Sequence, residues 1–205
     1  MKSREAGYAY AQRTTDLVVI ETGLEVDVKT HIIMSPMIYG FGLGTIGNPN
    51  ILSTGISVFV RAAIKVGQAE VVGDGKGVWN FVHIADMSSL YEIIVAKAIK
   101  NEPLRDGERG IYFSATGRFT WKEWSQRVAD AGFKLGALKT NEVRSLSLEE
   151  AAQRLSVPFD VELGFGSNSR TNSDLGKELG WEPKKTDEDL KKYFLEEFSF
   201  IYKGN

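Results

Sequence analysis

The chain is poor in the residues that several common kinds of site require. It contains no cysteine and only two histidines, His31 and His83, so disulfides, thiol chemistry and motifs such as HExxH are excluded. The formal net charge of −2 gives no strongly basic surface for nucleic acid. No apolar run approaches the about 20 residues of a membrane-spanning helix, and the first residues form no apolar signal region. We therefore expect a cytoplasmic protein without a metal site, a nucleic-acid partner or a membrane partner.

The residues that are present are typical of one globular α/β domain. Of the 205 residues, 42% are hydrophobic and 25% are charged, which is ordinary for a chain that buries a core. Helical patterns cover residues 4–22, with Gly23 as the expected stop, 51–66 and 86–100. Strand patterns cover residues 28–34, 69–72, 79–84 and 110–115. Because helices alternate with short apolar strands, the pattern favours a parallel sheet.

Three segments predict the beginnings of later helices. Residues 120–123, 147–150 and 186–189 each start with Ser or Thr and place an acidic residue three positions later. This spacing is the capping box, in which the two side chains bind each other's backbone N–H groups.

A glycine-rich segment at residues 40–49 follows the first predicted strand. Its spacing differs from the G-x-G-x-x-G phosphate loop, and no acidic residue follows a second strand at the distance that a ribose contact requires. We interpret the segment as a loop that borders a substrate cleft or as a plain connection, with phosphate binding as the less favoured alternative.

Three segments together resemble a known family. They are residues 35–40 (SPMIYG), 73–86 (GDGKGVWNFVHIAD) and 179–183 (LGWEP). In this order they resemble the C-terminal half of the extended short-chain dehydrogenase/reductases, the NAD-dependent epimerase/dehydratase family. The spacing Tyr10-x-x-Arg13-x-x-Asp16 near the N-terminus resembles an atypical, fungal-type subgroup of that family. The family's dinucleotide-binding strands precede this half, and little chain is left for them here. The resemblance implies a partial Rossmann-like parallel sheet that lacks those strands and a small C-terminal substrate-binding lobe. Within one domain of residues 1–205, residues 4–100 would be the Rossmann-like part and 101–205 mostly the lobe.

The resemblance also indicates candidate catalytic residues near the N-terminus. Members of the family use a tyrosine as acid/base and a lysine four residues later. Here Tyr8 and Tyr10 are followed at that distance by Gln12 and Thr14, and Arg13 is the nearest cation. Tyr10, Tyr8 and Arg13 are therefore the catalytic candidates, and the alternative is that both tyrosines are ordinary residues of a terminal helix.

Further site residues are implied around the first strand. In the family, backbone groups near the equivalent of Pro36 and Ile38 contact the nicotinamide, and the residues that follow lead to the substrate. Tyr39 and Phe41 are therefore candidate substrate contacts. The alternative is that Pro36 only ends the strand and Tyr39 packs in the core.

Trp79 occupies the position at which sugar-nucleotide epimerases usually have an arginine that binds the diphosphate. An indole has one donor and no charge, so Trp79 argues against a nucleotide sugar and favours an apolar or aromatic molecule. His83, Asn168 and Arg170 are the remaining substrate-binding candidates. Each has a structural alternative, as a hydrogen-bonded residue at a strand end or as a tie to the C-terminal lobe.

The leading hypothesis is an NAD(P)-dependent epimerase, dehydratase or reductase that acts on a non-nucleotide, apolar small molecule. NAD or NADP is doubtful as a cofactor because neither the phosphate loop nor the catalytic lysine is evident. The alternatives are a cofactor-independent isomerase, cyclase or dehydratase, and a non-catalytic binding module or truncated gene product. An unpaired sheet edge would favour a homodimer.

Overall fold

The computed structural model describes residues 1–42, 54–155 and 164–204. Its helices in this part are α1 Lys2–Gly7, α2 Ala11–Glu25, α3 Thr54–Val66, α4 Ile84–Ile99, α5 Trp121–Lys134, α6 Leu148–Leu155, α7 Asp174–Glu178 and α8 Asp187–Tyr202. Its strands are β1 Ile32–Met34, β2 Met37–Tyr39, β3 Glu70–Val72, β4 Val78–His83, β5 Ile111–Phe113, β6 Gly117–Thr120 and β7 Arg144–Leu146. A short 3-10 turn covers Gly107–Arg109. None of the helices described is long and apolar enough to cross a membrane.

The strands form mainly parallel pairs. β1 pairs with β5, β2 with β4 and β3 with β7, all parallel, while β6 runs antiparallel to β4. Tyr39 lies opposite His83 in the β2–β4 pair, so the carboxyl ends of these two strands coincide. The mixed α/β class with parallel pairing, predicted from the alternation of helices and strands, is confirmed.

Most of the buried apolar side chains belong to one core between α3, α5, α8 and the β4–β6 pair. Large aromatic rings fill it, among them the fully buried Phe119, Trp124, Phe194 and Phe198. A second cluster on the other side of β4 joins α4 to β5 through Val82, Leu90, Ile94, Tyr112 and Trp181. Strand β4 is thus covered on both faces, as expected of a strand inside an α/β layer structure.

All three predicted capping boxes are confirmed. The hydroxyl of Thr120 accepts from the backbone N–H of Glu123 at 3.2 Å, and that of Thr186 accepts from Asp189 at 3.3 Å. In the third box the hydroxyl of Ser147 accepts from the backbone N–H of the acidic residue three positions later at 3.1 Å. Helices α5, α6 and α8 begin directly after these residues.

The predicted single helix over residues 4–22 is wrong. The chain forms two helices, and residues 8–10 separate them because the Glu5 carboxylate accepts from the backbone N–H of Tyr10 at 3.3 Å and from Arg13 Nε at 2.7 Å. Gly23 does not stop α2 but lies inside it. A Cβ at this position would lie 2.5 Å from Thr30 Cγ2, so the glycine permits a close approach of helix and chain rather than a helix end.

Other boundaries also differ from the expectation. Strand β1 covers only the last three residues of the predicted segment 28–34, since the N–H of Val28 is used at 2.8 Å by the Gly23 carbonyl at the end of α2. Strands β2, β6 and β7 were not predicted, because three or four residues are too few to show a period. The predicted glycine-rich loop lies largely outside the described residues, as does the start of the predicted helix 51–66.

The segment that follows residue 166 binds along the first residues of β4, before the part of the strand that pairs with β2. The backbone N–H of Val78 donates to Asn168 Oδ1 at 3.0 Å, and Ser169 N–H donates to the Val78 carbonyl at 2.9 Å. Further on, Thr171 N–H donates to the Oδ1 of buried Asn80 at 2.8 Å. These bonds hold the C-terminal part of the chain against the sheet.

Buried Asp86 fixes the turn that precedes α8. Its two carboxylate oxygens accept from the backbone N–H groups of Lys184 and Lys185 at 2.9 and 3.0 Å. The backbone carbonyl of Asp86 accepts from Trp181 Nε1 at 2.9 Å. The first turn of α4 is therefore tied to the LGWEP segment by both the side chain and the main chain of one residue.

Candidate functional site

The described part of the chain contains a cavity of about 410 Å³ between α3, β3 and α6. This volume lies within the range of about 300–1,000 Å³ that is usual for small-molecule sites. Its walls are mainly apolar and consist of Val58, Phe59, Ala62, Val66, Val71, Val72, Leu146, Ala151 and Phe165.

The periodicity of the elements places these walls. Helix α3 buries Ile56, Val60 and Ala63 in the core, so residues on its other side, such as Ala62, face the cavity. In β3, Val71 contacts both the core and the cavity, and its neighbours Glu70 and Val72 also line the cavity. The cavity therefore arises where α3 and β3 extend past the packed core.

One wall, formed by Phe59 and Phe165, is backed by further aromatic rings. The Phe59 ring lies 5.5 Å from that of Phe165, edge to face, and stacks on Trp121 at 6.0 Å. Trp79 lies 5.0 Å from Trp121 on the far side, and its indole Nε1 donates to the hydroxyl of Ser167 at 3.2 Å. Trp79 thus lies one aromatic ring behind the cavity wall, where it supports the rings that line it.

The charged side chains of the cavity belong to three elements. Glu70 on β3 is only 12% exposed and forms an ion pair with Arg154 on α6. Arg144 approaches the same carboxylate at 4.0 Å and also binds Glu150 at 3.1 Å. Lys65, exposed in the last turn of α3, also lines the cavity. Glu70 is therefore neutralised by arginine, while the ammonium group of Lys65 remains at the rim.

A second group of polar residues lies at the carboxyl ends of β2 and β4. The rings of Tyr39 and His83 meet edge to face at 4.9 Å, and Gly40, with φ +107°, brings the backbone against His83. Tyr39 is 1% exposed, and its hydroxyl has no hydrogen-bond partner among the described residues. Burial, aided by the negative charge of Asp189, raises the pKa of Tyr39 well above its usual value. Tyr39 is thus a core residue next to the sheet end and a poor acid.

The imidazole of His83 has one nitrogen in use. Its Nδ1 accepts from the backbone N–H of Ala85 at 3.0 Å and caps α4. Burial and the nearby positive charge of Lys185 lower the pKa of His83. The neutral ring with its proton on Nε2 is therefore the form that the fold favours.

The structure brings Tyr10 and Arg13 together. The Arg13 guanidinium lies 5.9 Å from the centre of the Tyr10 ring and forms an ion pair with Glu5 at 2.7 Å. It also donates to the backbone carbonyl of Tyr8. Hydrogen bonds from the Thr14 hydroxyl and from Arg13 lower the pKa of Glu5. Tyr8 and Tyr10 are 61% and 45% exposed, and neither lines the cavity.

The other predicted contacts have mixed surroundings. Pro36 is half-buried between β1 and β2, and Ile38 packs against the cluster around Val82. The Phe41 ring meets the ring of Tyr193 at 4.8 Å.

Asn168 and Arg170, both exposed, lie in the segment along β4. Asn168 uses its side-chain oxygen for the Val78 backbone N–H at 3.0 Å, which places it beside the sheet.

Sequence reasoning missed the cavity residues on α3, β3 and α6. A signal was available: Glu70 is an acidic residue next to the apolar pair Val71–Val72 in a short strand. A half-buried carboxylate needs a cationic partner. This rule predicts cationic partners for Glu70, and Arg144 and Arg154 are the partners that the structure shows.

Two described helix N-termini that follow strands, those of α4 and α5, do not fit the pyrophosphate of a dinucleotide. Such a group needs free N–H donors at a helix N-terminus that follows a strand. At the start of α4, directly after β4, the His83 side chain takes an N–H and Asp86 adds negative charge to the first turn. At the start of α5, directly after β6, Thr120 and Glu123 form a capping box. In both first turns, side chains of the protein itself already accept from backbone N–H groups that a pyrophosphate would need.

No family model matches the sequence. The oxidase ucsJ from Acremonium sp. is 26% identical over 165 residues, which are 76% of this chain and 46% of that protein. The chain thus spans about half the length of the curated relative that it matches.

Solved structures share the fold at low sequence identity. The dTDP-glucose 4,6-dehydratase DesIV from Streptomyces venezuelae, solved with NAD and TYD bound, has a TM-score of 0.64 at 20% identity, over 96% of this chain and 51% of its own. The UDP-glucose 4-epimerase from Thermotoga maritima, solved with UDP-glucose, has a TM-score of 0.62 at 19% identity, over 95% and 54%. RMD from Pseudomonas aeruginosa, complexed with NADPH, has a TM-score of 0.56 at 16% identity, over 94% and 56%. The chain therefore has a Rossmann-like fold that corresponds to about half of each of these enzymes.

Proposed function

We propose that this chain is the substrate-binding, C-terminal part of an NAD(P)-dependent epimerase, dehydratase or reductase of a fungal-type form, and that it acts on a non-nucleotide, apolar small molecule. The observation that supports this most directly is the apolar cavity of about 410 Å³ within a Rossmann-like fold. Cavities of this size with a few polar groups at the rim are the usual form of small-molecule sites.

The aromatic layer supports the non-nucleotide substrate. Trp79 replaces the arginine that the resemblance leads us to expect for a diphosphate, and its single donor is already used by Ser167. Behind the cavity wall it supplies packing and no positive charge. A ligand with an apolar or aromatic body would gain more from this wall than a diphosphate would.

Among the described strands, β1 is paired on one side only. We propose that further strands, which carry the dinucleotide site, pair with its open edge. Ile32 N–H donates to Gly110 at 2.9 Å, and the carbonyl of Met34 accepts from Ser114 at 3.3 Å. Because successive residues of a strand alternate, the N–H and carbonyl of Ile33 point away from β5. In the described part of the chain β1 pairs with β5 alone. Strands added to this edge, from a second copy or from another polypeptide segment, would extend the parallel sheet.

The position of helix α2 supports the proposal that Tyr10, the residue before its first turn, is catalytic. Residues 26–31 connect α2 to β1. In an αβ unit the helix runs antiparallel to the strand that it precedes, so the N-terminal end of α2 would lie toward the carboxyl end of β1. Ligands of parallel α/β sheets bind at that end of the strands. Tyr10, with Arg13 beside it, would there give or take a proton, and Pro36 and Ile38 would lie next to the reacting group.

A titration with NADH and NADPH, followed by tryptophan fluorescence, tests this function. Each species separated by gel filtration is titrated. We expect micromolar, saturable binding in a species that has strands added at β1. Ile33→Pro removes the N–H at the open edge and should lose both assembly and binding, whereas Ile33→Val should keep both. Absence of binding at millimolar cofactor in every species would overturn NAD(P) dependence.

A cofactor-free isomerase, cyclase or dehydratase is the second candidate. The closed N-termini of α4 and α5 favour it, since neither offers a free site for a pyrophosphate. In this case a small molecule that reaches Tyr10 is converted without added dinucleotide. Tyr10→Phe should then stop the conversion and leave the melting temperature unchanged, because Tyr10 is exposed. Unchanged conversion would remove Tyr10 from the mechanism.

A further inference from the structure

The charges of the described side chains that line the cavity do not balance. Among them the cationic ones are Lys65 on α3 and Arg154 on α6, and the acidic one is Glu70 on β3. Arg154 is already paired with Glu70. Lys65 has no ion-pair partner in the described part of the chain. One positive charge is therefore left at the rim of an apolar cavity.

The position of Lys65 determines what kind of ligand can use this charge. Lys65 is exposed, whereas walls such as Ala62 and Ala151 are partly or fully buried. A charged group placed deep among the apolar walls would lose its hydration without compensation. An anionic group at the rim would keep part of its water and still meet the ammonium group. The arrangement thus suits a ligand with an apolar body and a single anionic end.

We propose that the cavity binds an amphipathic monoanion, an aromatic or aliphatic carboxylate or sulfonate. Its apolar body would lie against the Phe59–Phe165 wall, and its anionic end would meet Lys65. This inference rests on the proposed function only in taking the cavity as the substrate site, and it specifies the class of that substrate.

Two fluorescent probes of the same shape test the charge preference. The anionic probe is 8-anilinonaphthalene-1-sulfonate, and the neutral one is N-phenyl-1-naphthylamine. We expect the sulfonate to bind the protein more tightly than the amine. Lys65→Gln should weaken sulfonate binding by about two- to fivefold, the range expected for an exposed ion pair. Binding of the neutral probe should not change.

Arg61→Gln is the matched control. Arg61 is exposed on the same helix, one turn earlier, and does not line the cavity. Its replacement removes the same charge and should leave both affinities unchanged. If Arg61→Gln and Lys65→Gln weaken the sulfonate equally, the attraction is a general surface effect and the proposal fails. Equal affinities of the two probes for the unaltered protein would also overturn it.

A substitution that fills the cavity shows where the probes bind. Ala62→Trp should abolish binding of both probes, and Val66→Trp at the exposed rim should weaken it with less risk to folding. Thermal unfolding of each variant confirms that it is folded. Unchanged binding in folded variants would place the probes elsewhere and overturn the site. None of these measurements needs a dinucleotide, so a failure of NAD(P)H binding would leave their outcome unaffected.

Discussion

Helices α2 and α8 have similar lengths and very different surroundings. Of its 15 residues α2 buries only Ile20 and Gly23, whereas α8 buries six of 16. Both helices are rich in apolar residues, so composition does not explain the difference. Helix α8 packs on α3 and α5, while α2 contacts mainly α1 and the 3-10 turn at Gly107–Arg109. A helix of this fold becomes buried only when the elements beside it are present.

The same difference applies to the strands next to these helices. Strand β4 pairs on both sides and is covered on both faces, whereas β1 pairs with β5 alone among the described strands. Val18 and Leu24 of α2 are 55% and 62% exposed. We infer that the C-terminal region provides most of the stability and that the N-terminal region opens at lower free energy.

The largest expected effect is in the main core. Phe198→Ala should lower the free energy of unfolding by about 3–5 kcal/mol, because Phe198 is fully buried and its loss leaves a cavity. Phe133→Ala removes the same ring from a site that is 52% exposed and should cost less than about 1 kcal/mol. Urea unfolding measures both. Equal losses would contradict the location of the core.

A somewhat smaller effect is expected at Asp86. Asp86→Ala leaves the part-buried N–H groups of Lys184 and Lys185 without their carboxylate acceptor and should cost about 1–3 kcal/mol. Asp74→Ala is the control, since Asp74 is an exposed turn residue, and it should change the unfolding midpoint little. If the two variants unfold alike, Asp86 does not tie α4 to the LGWEP segment.

His83 should make the stability depend on pH. Burial lowers its pKa in the folded protein below the ordinary value of 6.5, so the unfolded chain binds the proton more readily. This contribution is present above pH 6.5 and is lost as the pH falls from there through the lowered pKa. His83→Asn keeps a capping acceptor that does not titrate. The melting temperature of the variant should therefore fall less between pH 7 and 5. Parallel curves for the two proteins would exclude His83 as the cause.

The smallest effect is expected on α2. Val18→Ser should change the free energy of unfolding of the chain alone by no more than about 0.5 kcal/mol, since Val18 is exposed. In the same protein, amide hydrogen exchange should be faster in α2 than in α8. Comparable protection of the two helices would show that α2 is covered, and the contrast between the regions would no longer hold.

Local sequence signals were sufficient where the interactions are local. The capping boxes at Thr120, Ser147 and Thr186 were predicted because both partners lie within four residues of each other. The helix end predicted at Gly23 is wrong. Glycine is needed there because Thr30 packs against the helix at this position, and Thr30 comes close to it only in the folded chain. The placement of Tyr39 in the core likewise depends on rings from β4 and α8.

The α/β class, the starts of three helices and the segments that resemble the epimerase/dehydratase family could all be read from the amino-acid order alone. These features depend on hydrophobic periodicity and on residues close together in the chain. Three features could be seen only in the folded chain: α3, β3 and α6 enclose a cavity, Glu70 is matched by Arg154, and β1 pairs with β5 alone among the described strands. Each of these depends on residues far apart in the sequence, whose proximity follows from the packing of whole helices and strands.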